Sequence, residues 1–195
     1  MECCAINILS KIDAERVHML RGKYQIPKDI HTCHPTLGKW CCSSNYLGVG
    51  IHEAYLLGGL RLTLKTFARE ILHKLGIAPN QLNPNGWRII MAMQALWREV
   101  FEGNYPLTMD EFLYCYKPTE INKSLGFYQF SAKGSSCRII RSLPSSNRLW
   151  NMEFFFVFGS WAGDPVKVGR DTFHPYIGAM GRLQSEGMLL TLALS

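Results

Sequence analysis

Five residues with metal-binding or nucleophilic chemistry crowd into one short stretch: His31, Cys33, His34, Cys41 and Cys42. A His-x-x-His pair followed by two thiols suggests zinc, which takes nitrogen and sulfur donors in a tetrahedron. The spacing works against that suggestion. Paired ligands usually stand about two to four residues apart so that both reach one ion. Adjacent Cys41 and Cys42 instead point their side chains apart in an extended chain. We therefore expect chance clustering in a loop, with neither a metal nor a cofactor.

Other reactive constellations are equally incomplete. The chain has no Gly-x-Ser-x-Gly elbow, and the surroundings of its cysteines match no cysteine-protease signature. His174 precedes Pro175 in a weakly patterned region, a poor place for a rigid general base. A two-metal nuclease needs acids projecting together from firm elements. The candidates Glu53, Glu70, Glu99 and Asp110 each fit a helix surface or cap, where a carboxylate is ordinarily solvated. Gly48-Val49-Gly50 runs into Ile51-His52-Glu53 without a third glycine, and Leu57-Gly58-Gly59-Leu60 lacks a following lysine, so neither is a phosphate loop. No catalytic residue, metal ligand or small-molecule site is expected.

Nucleic acid is the remaining chemistry. Lys117, Lys123, Lys133, Arg138, Arg141 and Arg148 face only Glu120 in their stretch, which holds nearly all of the net charge of +6. The interleaved Phe127, Tyr128 and Phe130 could stack on bases, as in single-strand binders. The reading we favour is plainer: the aromatics face a core and the basic residues keep a sheet edge soluble.

The whole composition sets the frame for these sites. Apolar residues make up 47% and charged residues 18% of the 195-residue chain, the balance of a core-forming domain and not of a disordered one. A pI near 9.0 is compatible with anionic partners without requiring them. Seven cysteines, two pairs of them adjacent, make a poor disulfide framework for a secreted module. The start shows no signal-peptide pattern, and no window approaches the ~20 apolar residues that span a bilayer. The apolar run Met188 to Leu194 is far shorter than that. A cytoplasmic or nuclear protein is expected, with no membrane contact.

The element that must organise the rest is Asn83 to Phe101. Trp87, Ile89, Ile90, Met91, Met93, Leu96, Trp97, Val100 and Phe101 leave it only a narrow polar stripe, so it reads as a helix covered on several sides. Asn83 is the N-cap and Pro84 the first helical residue. If the Trp97 ring is buried, Trp97→Ala costs roughly 3–5 kcal/mol. Before it, Leu64, Phe67, Ala68, Ile71, Leu72 and Leu75 make one face of an amphipathic helix that ends at Gly76. The short link between the two predicts antiparallel packing.

Flanking elements are shorter. Ser10 with Asp13 predicts a helix start, ended by Gly22 and Pro27. Pro27 to Gly50 reads as a loop lying over the domain, His52 to Leu57 as a short helix stopped at Gly58-Gly59. Thr108-x-x-Glu111 is a capping box for a helix that Pro118 stops. Phe127 to Phe130, Arg138 to Leu143 and Glu153 to Phe158 read as strands. The expected fold is α+β: a mainly helical single domain over residues 10–161, with a central buried helix and a small antiparallel sheet in its C-terminal half. Residues 1–9 are an extension, and 162–195 an irregular tail interrupted by glycine and proline.

The run from Leu9 to Trp161 also resembles a family, the plant domain named "putative gypsy-type transposon". The likeness lies in Asp13-Ala14-Glu15-Arg16, Glu53-Ala54-Tyr55, Gly59-Leu60-Arg61-Leu62 and Phe67-Ala68-Arg69-Glu70-Ile71-Leu72. It is densest from Leu75 to Arg88, then in Leu143-Pro144-Ser145-Ser146-Asn147, Trp150 and Phe154-Phe155-Phe156-Val157. The resemblance implies a capsid-precursor-like module of a transposable element, without reverse transcriptase, protease or integrase parts. The His31 to Cys42 spacing fits neither the zinc knuckle of capsid precursors nor the His-His-Cys-Cys domain of integrases. Ile30 to Asn45 is cysteine-rich where the family is proline-rich, and the helical or coiled-coil region that often follows the domain does not appear before Ser195. We expect a non-enzymatic interaction or assembly module with a protein partner or self-association. The alternatives are a nucleic-acid-binding domain using the basic face, and a transposase-type nuclease.

Overall fold

The computed structural model describes residues 8–41, 48–121, 126–145 and 149–162, and the backbone of 166–168 and 171–173. Helix α1 spans Ala14–Lys23, with the Asp13 side chain accepting from the Arg16 amide at 2.8 Å. Ser10 does not start this helix as expected. Its hydroxyl donates to the Phe154 carbonyl oxygen at 2.5 Å and so ties the incoming chain to a strand far away in sequence.

The stretch read as a loop contains two strands, β1 (His31–Cys33) and the start of β2 (Gly48–His52). They escaped notice because their partner is remote: both pair antiparallel with β5 (Phe154–Phe158), in the order β1-β5-β2. His31 and Gly48 both lie opposite Phe158, and His52 lies opposite Phe154. The main sheet thus draws two of its three strands from the N-terminal third. Within it, Val49, Ile51, Phe155 and Val157 join the main core, while Phe154 and Phe156 pack with Cys41 in a small second cluster. Cys41, in the described part of the connection between β1 and β2, thus packs on the face of this sheet opposite the main core.

The two glycines of β2 make this packing tight. A Cβ on Gly50 would lie 2.4 Å from the Cys41 sulfur and 2.6 Å from its carbonyl oxygen, and one on Gly48 would lie 2.4 Å from the Phe158 ring. Gly-Val-Gly is therefore a packing device.

Next come α2 (Glu53–Leu57) and α3 (Thr66–Leu75), and the predicted apolar face of α3 is buried through Phe67, Ala68, Ile71 and Leu72. Gly76 ends α3 in the left-handed region at φ 61°, where a Cβ is disfavoured. A 3₁₀ turn, Pro79–Gln81, leads into α4 (Pro84–Val100), whose N-cap Asn83 accepts from the Gly86 amide at 2.6 Å. Trp87, Ile89, Ile90 and Met93 are buried there. The expectation of burial along the whole helix fails beyond Met93: Leu96, Val100 and Phe101 are exposed and Trp97 is only half-buried. The helix outruns the body that covers it. Its principal partners are α2 and β4, and α3 packs on α5, so the expected α3–α4 pair is not a main contact of the fold.

Helix α5 (Met109–Cys115) starts at the predicted capping box, with Thr108 and Glu111 bonding reciprocally. It runs directly into β3 (Tyr116–Glu120), and Pro118 sits inside that strand opposite Phe130 of β4 (Tyr128–Ala132). Proline fits in a two-stranded sheet because each strand has an unpaired edge. Arg138 to Leu143, expected as a strand, is irregular, with one bend at Ile140. Beyond Trp161 a short backbone pairing joins β6 (Val166–Val168) and β7 (Asp171–Phe173). The architecture is α+β, as expected, with helices against two main antiparallel sheets.

Candidate functional site

The most reactive residue types in the fold meet under the β1–β2 connection. Cys41 Sγ lies 3.3 Å from His52 Nε2, and His52 Nδ1 lies 3.1 Å from the Trp150 carbonyl oxygen. A carbonyl can only accept, so Nδ1 carries the ring proton and Nε2 is left to accept from the Cys41 thiol. Asn80 donates from Nδ2 to the Cys41 carbonyl at 3.3 Å, and the Asn80 backbone carbonyl accepts from the Tyr55 hydroxyl at 3.2 Å.

A cysteine, a histidine and an asparagine in contact resemble the parts of a thiol nucleophile, but their environment sets a different task. Cys41 and His52 are each 1% exposed. Tyr55, Trp150 and Phe154 enclose the imidazole with ring centroids 4.7–5.7 Å away. Burial in this apolar cage pulls the His52 pKa down to about 3, against a weaker opposing effect of the Trp150 carbonyl. A ring this weakly basic is a poor acceptor for the thiol proton, and burial disfavours the thiolate–imidazolium pair that would attack a substrate. The network is a polar pin fixing the connection to β2, α2 and the Pro79–Gln81 turn. Sequence reading missed it, although the alternation of Val49 and Ile51 leading to His52 could have marked a strand placing that ring inside.

The metal reading stays unsupported. His31, Cys33 and His34 are exposed and Cys41 is buried, Cys42 lies outside the described residues, and among the described residues no three His, Cys, Asp or Glu side chains gather for an ion. The four acids weighed for a nuclease do not converge either. Glu70 is half-buried on α3, while Glu99 and Asp110 are exposed on α4 and α5. Glu53, expected to be solvated, is buried and bound by Arg16.

Of the six basic candidates, Lys117, Lys133, Arg138 and Arg141 are all exposed. Lys123 and Arg148 lie outside the described residues. The four share one end of the β3–β4 hairpin. Lys117 is opposite Ser131, the Lys133 amide donates to the Cys115 carbonyl at 2.9 Å, and the Ile140 amide donates to the Tyr116 hydroxyl at 2.9 Å. The segment 133–141 thus folds back over the α5–β3 junction, and the Arg141 Nε donates to the Arg138 carbonyl at 3.2 Å. Phe127 and Phe130 are buried and Tyr128 half-buried, so these aromatics serve packing as favoured.

The second surface feature is the free end of α4. At 100° per residue Leu96, Val100, Trp97 and Phe101 share one side of the helix. Val100 is 62% and Tyr105 67% exposed, and Trp97, Phe101 and Tyr105 touch in series at ring-centroid distances of 4.9 and 6.0 Å. By the same geometry Glu99 borders this apolar stripe on one side and Arg98 on the other.

These features define an α+β domain whose polar chemistry is internal and whose outer surface carries an apolar ridge and a basic segment. Residues 49–118, from β2 into β3, match the model of the family described as "Putative gypsy type transposon". The resemblance read from the motifs is thus found again over the helical centre of the domain. No curated protein and no solved structure matches the chain. Among the described residues no helix is long and apolar enough to cross a membrane.

Proposed function

We propose that the chain is a non-enzymatic assembly module of a transposable-element-derived protein, and that it pairs with a second copy of itself through the end of α4. The observation that supports this is the exposed apolar stripe of Leu96, Val100 and Phe101, backed by the half-buried Trp97 and continued by Tyr105. Large apolar and aromatic side chains gathered on a protruding helix are typical of interface centres. Two copies of α4 packed side by side about a two-fold axis lay one apolar stripe on the other, so the same patch serves both partners.

Light scattering over a wide concentration range tests this directly. The unaltered chain is expected to dimerise, and Val100→Glu to be monomeric with an unchanged fold by circular dichroism. A strict monomer at every concentration rejects the reading.

The basic end of the β3–β4 hairpin supports a second reading, contact with nucleic acid. Lys117, Lys133, Arg138 and Arg141 are exposed around one junction, where phosphates could meet several of them at once. Affinity should then fall with salt, and the slope should drop by about one for each phosphate-contacting residue removed. Absence of binding to single- or double-stranded oligonucleotides at low salt ends this reading.

A further inference from the structure

Two thiols meet where the basic segment crosses the α5–β3 junction. Cys115 closes α5 and is buried, and Cys137 is half-buried and packs against the same core. Cys137 is near enough to act on the Cys115 thiol, whose pKa it helps to raise. Both are free cysteines. Their meeting is fixed from both sides: Lys133 bonds to the Cys115 carbonyl, and Ile140 bonds to the hydroxyl of Tyr116, the residue after Cys115. Four residues before Cys137 and three after it, the chain is therefore anchored to the element that carries the other thiol.

We propose that Cys115 and Cys137 form an oxidant-sensitive dithiol, whose closure to a disulfide locks the basic segment 133–141 onto the α5–β3 junction. The co-reactant is a peroxide. The Cys137 sulfur, the more accessible of the two, attacks one peroxide oxygen; an S–O bond forms, the O–O bond breaks and water leaves, giving a sulfenic acid. The Cys115 sulfur then attacks the Cys137 sulfur, an S–S bond forms, the S–O bond breaks and a second water leaves. Two thiols lose two electrons and two protons, and one hydrogen peroxide becomes two waters. Burial holds the Cys115 thiol above its ordinary pKa, with the neighbouring Cys137 adding to the effect. Cys115 is thus the resolving partner and not the first to react. A reductant thiol reverses the bond by exchange.

The experiment uses the full chain, reduced and then treated with hydrogen peroxide, denatured, alkylated and mapped by mass spectrometry. The expected product is a peptide pair joined through Cys115 and Cys137, lighter by two hydrogen atoms and released by dithiothreitol. Tryptic cleavage after Arg138 and Arg141 in the native, oxidised protein is expected to slow by roughly tenfold, because opening the segment then works against a covalent closure. Cys137→Ser, checked for an unchanged circular dichroism spectrum, should abolish both changes. The proposal is overturned if both residues are still alkylated after oxidation, if either pairs with a different cysteine, or if the disulfide forms and cleavage is no slower. The mapping is made on the unaltered sequence, so it stands even where the variant folds poorly.

Discussion

Arg16, in the first turn of α1, holds the carboxylate of Glu53 in a fork: Nη2 lies 2.8 Å from Oε1 and 2.9 Å from Oε2, and Nε lies 3.1 Å from Oε2. The Glu53 side chain is 6% exposed and that of Arg16 47%, so one charge is buried and its partner reaches in from the surface. Glu53 raises the Arg16 pKa through this bond, so the guanidinium keeps its charge. The pair joins α1 to the start of α2, at the end of β2.

Removing only the outer partner strands the inner one. Arg16→Ala is expected to cost about 2–3 kcal/mol, because Glu53 keeps its place in the core without its counter-charge. Glu53→Gln should cost less, since a neutral amide is cheaper to bury. Urea denaturation of both variants checks the order, and equal losses would contradict the asymmetry.

Acid should weaken the fold through His52. Its folded pKa, about 3, lies below the ordinary 6.5, so between these values the unfolded chain binds a proton that the folded one does not. The stability of the neutral buried form is fully present above pH 6.5 and falls as pH drops, by at most about 1.4 kcal/mol per pH unit from this group. Comparing urea midpoints of wild type and His52→Gln from pH 7 to 4 isolates the effect. The variant should lose part of the slope, whatever its absolute stability.

Gly50→Ala should destabilise by about 1–3 kcal/mol through overpacking against Cys41. The new methyl would meet the Cys41 carbonyl oxygen as well as the sulfur. Adding Cys41→Ala removes only the second obstacle and is expected to rescue the fold incompletely. Thermal melts of the single and double variants decide this, and full rescue would place the clash wholly in the side chain.

The two tryptophans of α4 should behave differently. Trp87 is fully buried and donates from Nε1 to the Pro79 carbonyl at 3.3 Å, so Trp87→Ala should cost roughly 3–5 kcal/mol. Trp97, half-buried at the protruding end, should cost clearly less than the figure that full burial would give. Denaturation at low protein concentration checks the pair, and a comparable loss at both positions would mean that Trp97 is covered after all.

What could be read from the residues was whatever their neighbours in sequence determine. The apolar face of α3, the Asn83 cap of α4 and the Thr108–Glu111 box of α5 all depend on side chains within a few positions, and all three stand where expected. The central strand β5 was legible in its run of four Phe and a Val, but β1 and the start of β2 do not depend on neighbours: His31 acquires its role only when Phe158 arrives opposite it. Periodicity likewise shows that α4 is apolar almost all round, yet cannot show where its cover stops. The polar pin was hidden for a related reason. Cys41, His52, Asn80 and Trp150 sit in four separate stretches, and only the folded backbone brings them within 3.1–3.3 Å of one another.

The placing of β5 between two strands made much earlier has a consequence for synthesis. While the ribosome is still short of Phe154, β1 and β2 have nothing to zip onto, and Ser10 and Glu53 lack the late carbonyls of Phe154 and Glu153 to which they bond. Folding must wait for the last third of the chain to emerge. The segment 49–118, cut out and expressed alone, would keep its helices but leave Ile51 and Val49 without the strand that buries them, and should behave as a collapsed, sticky fragment.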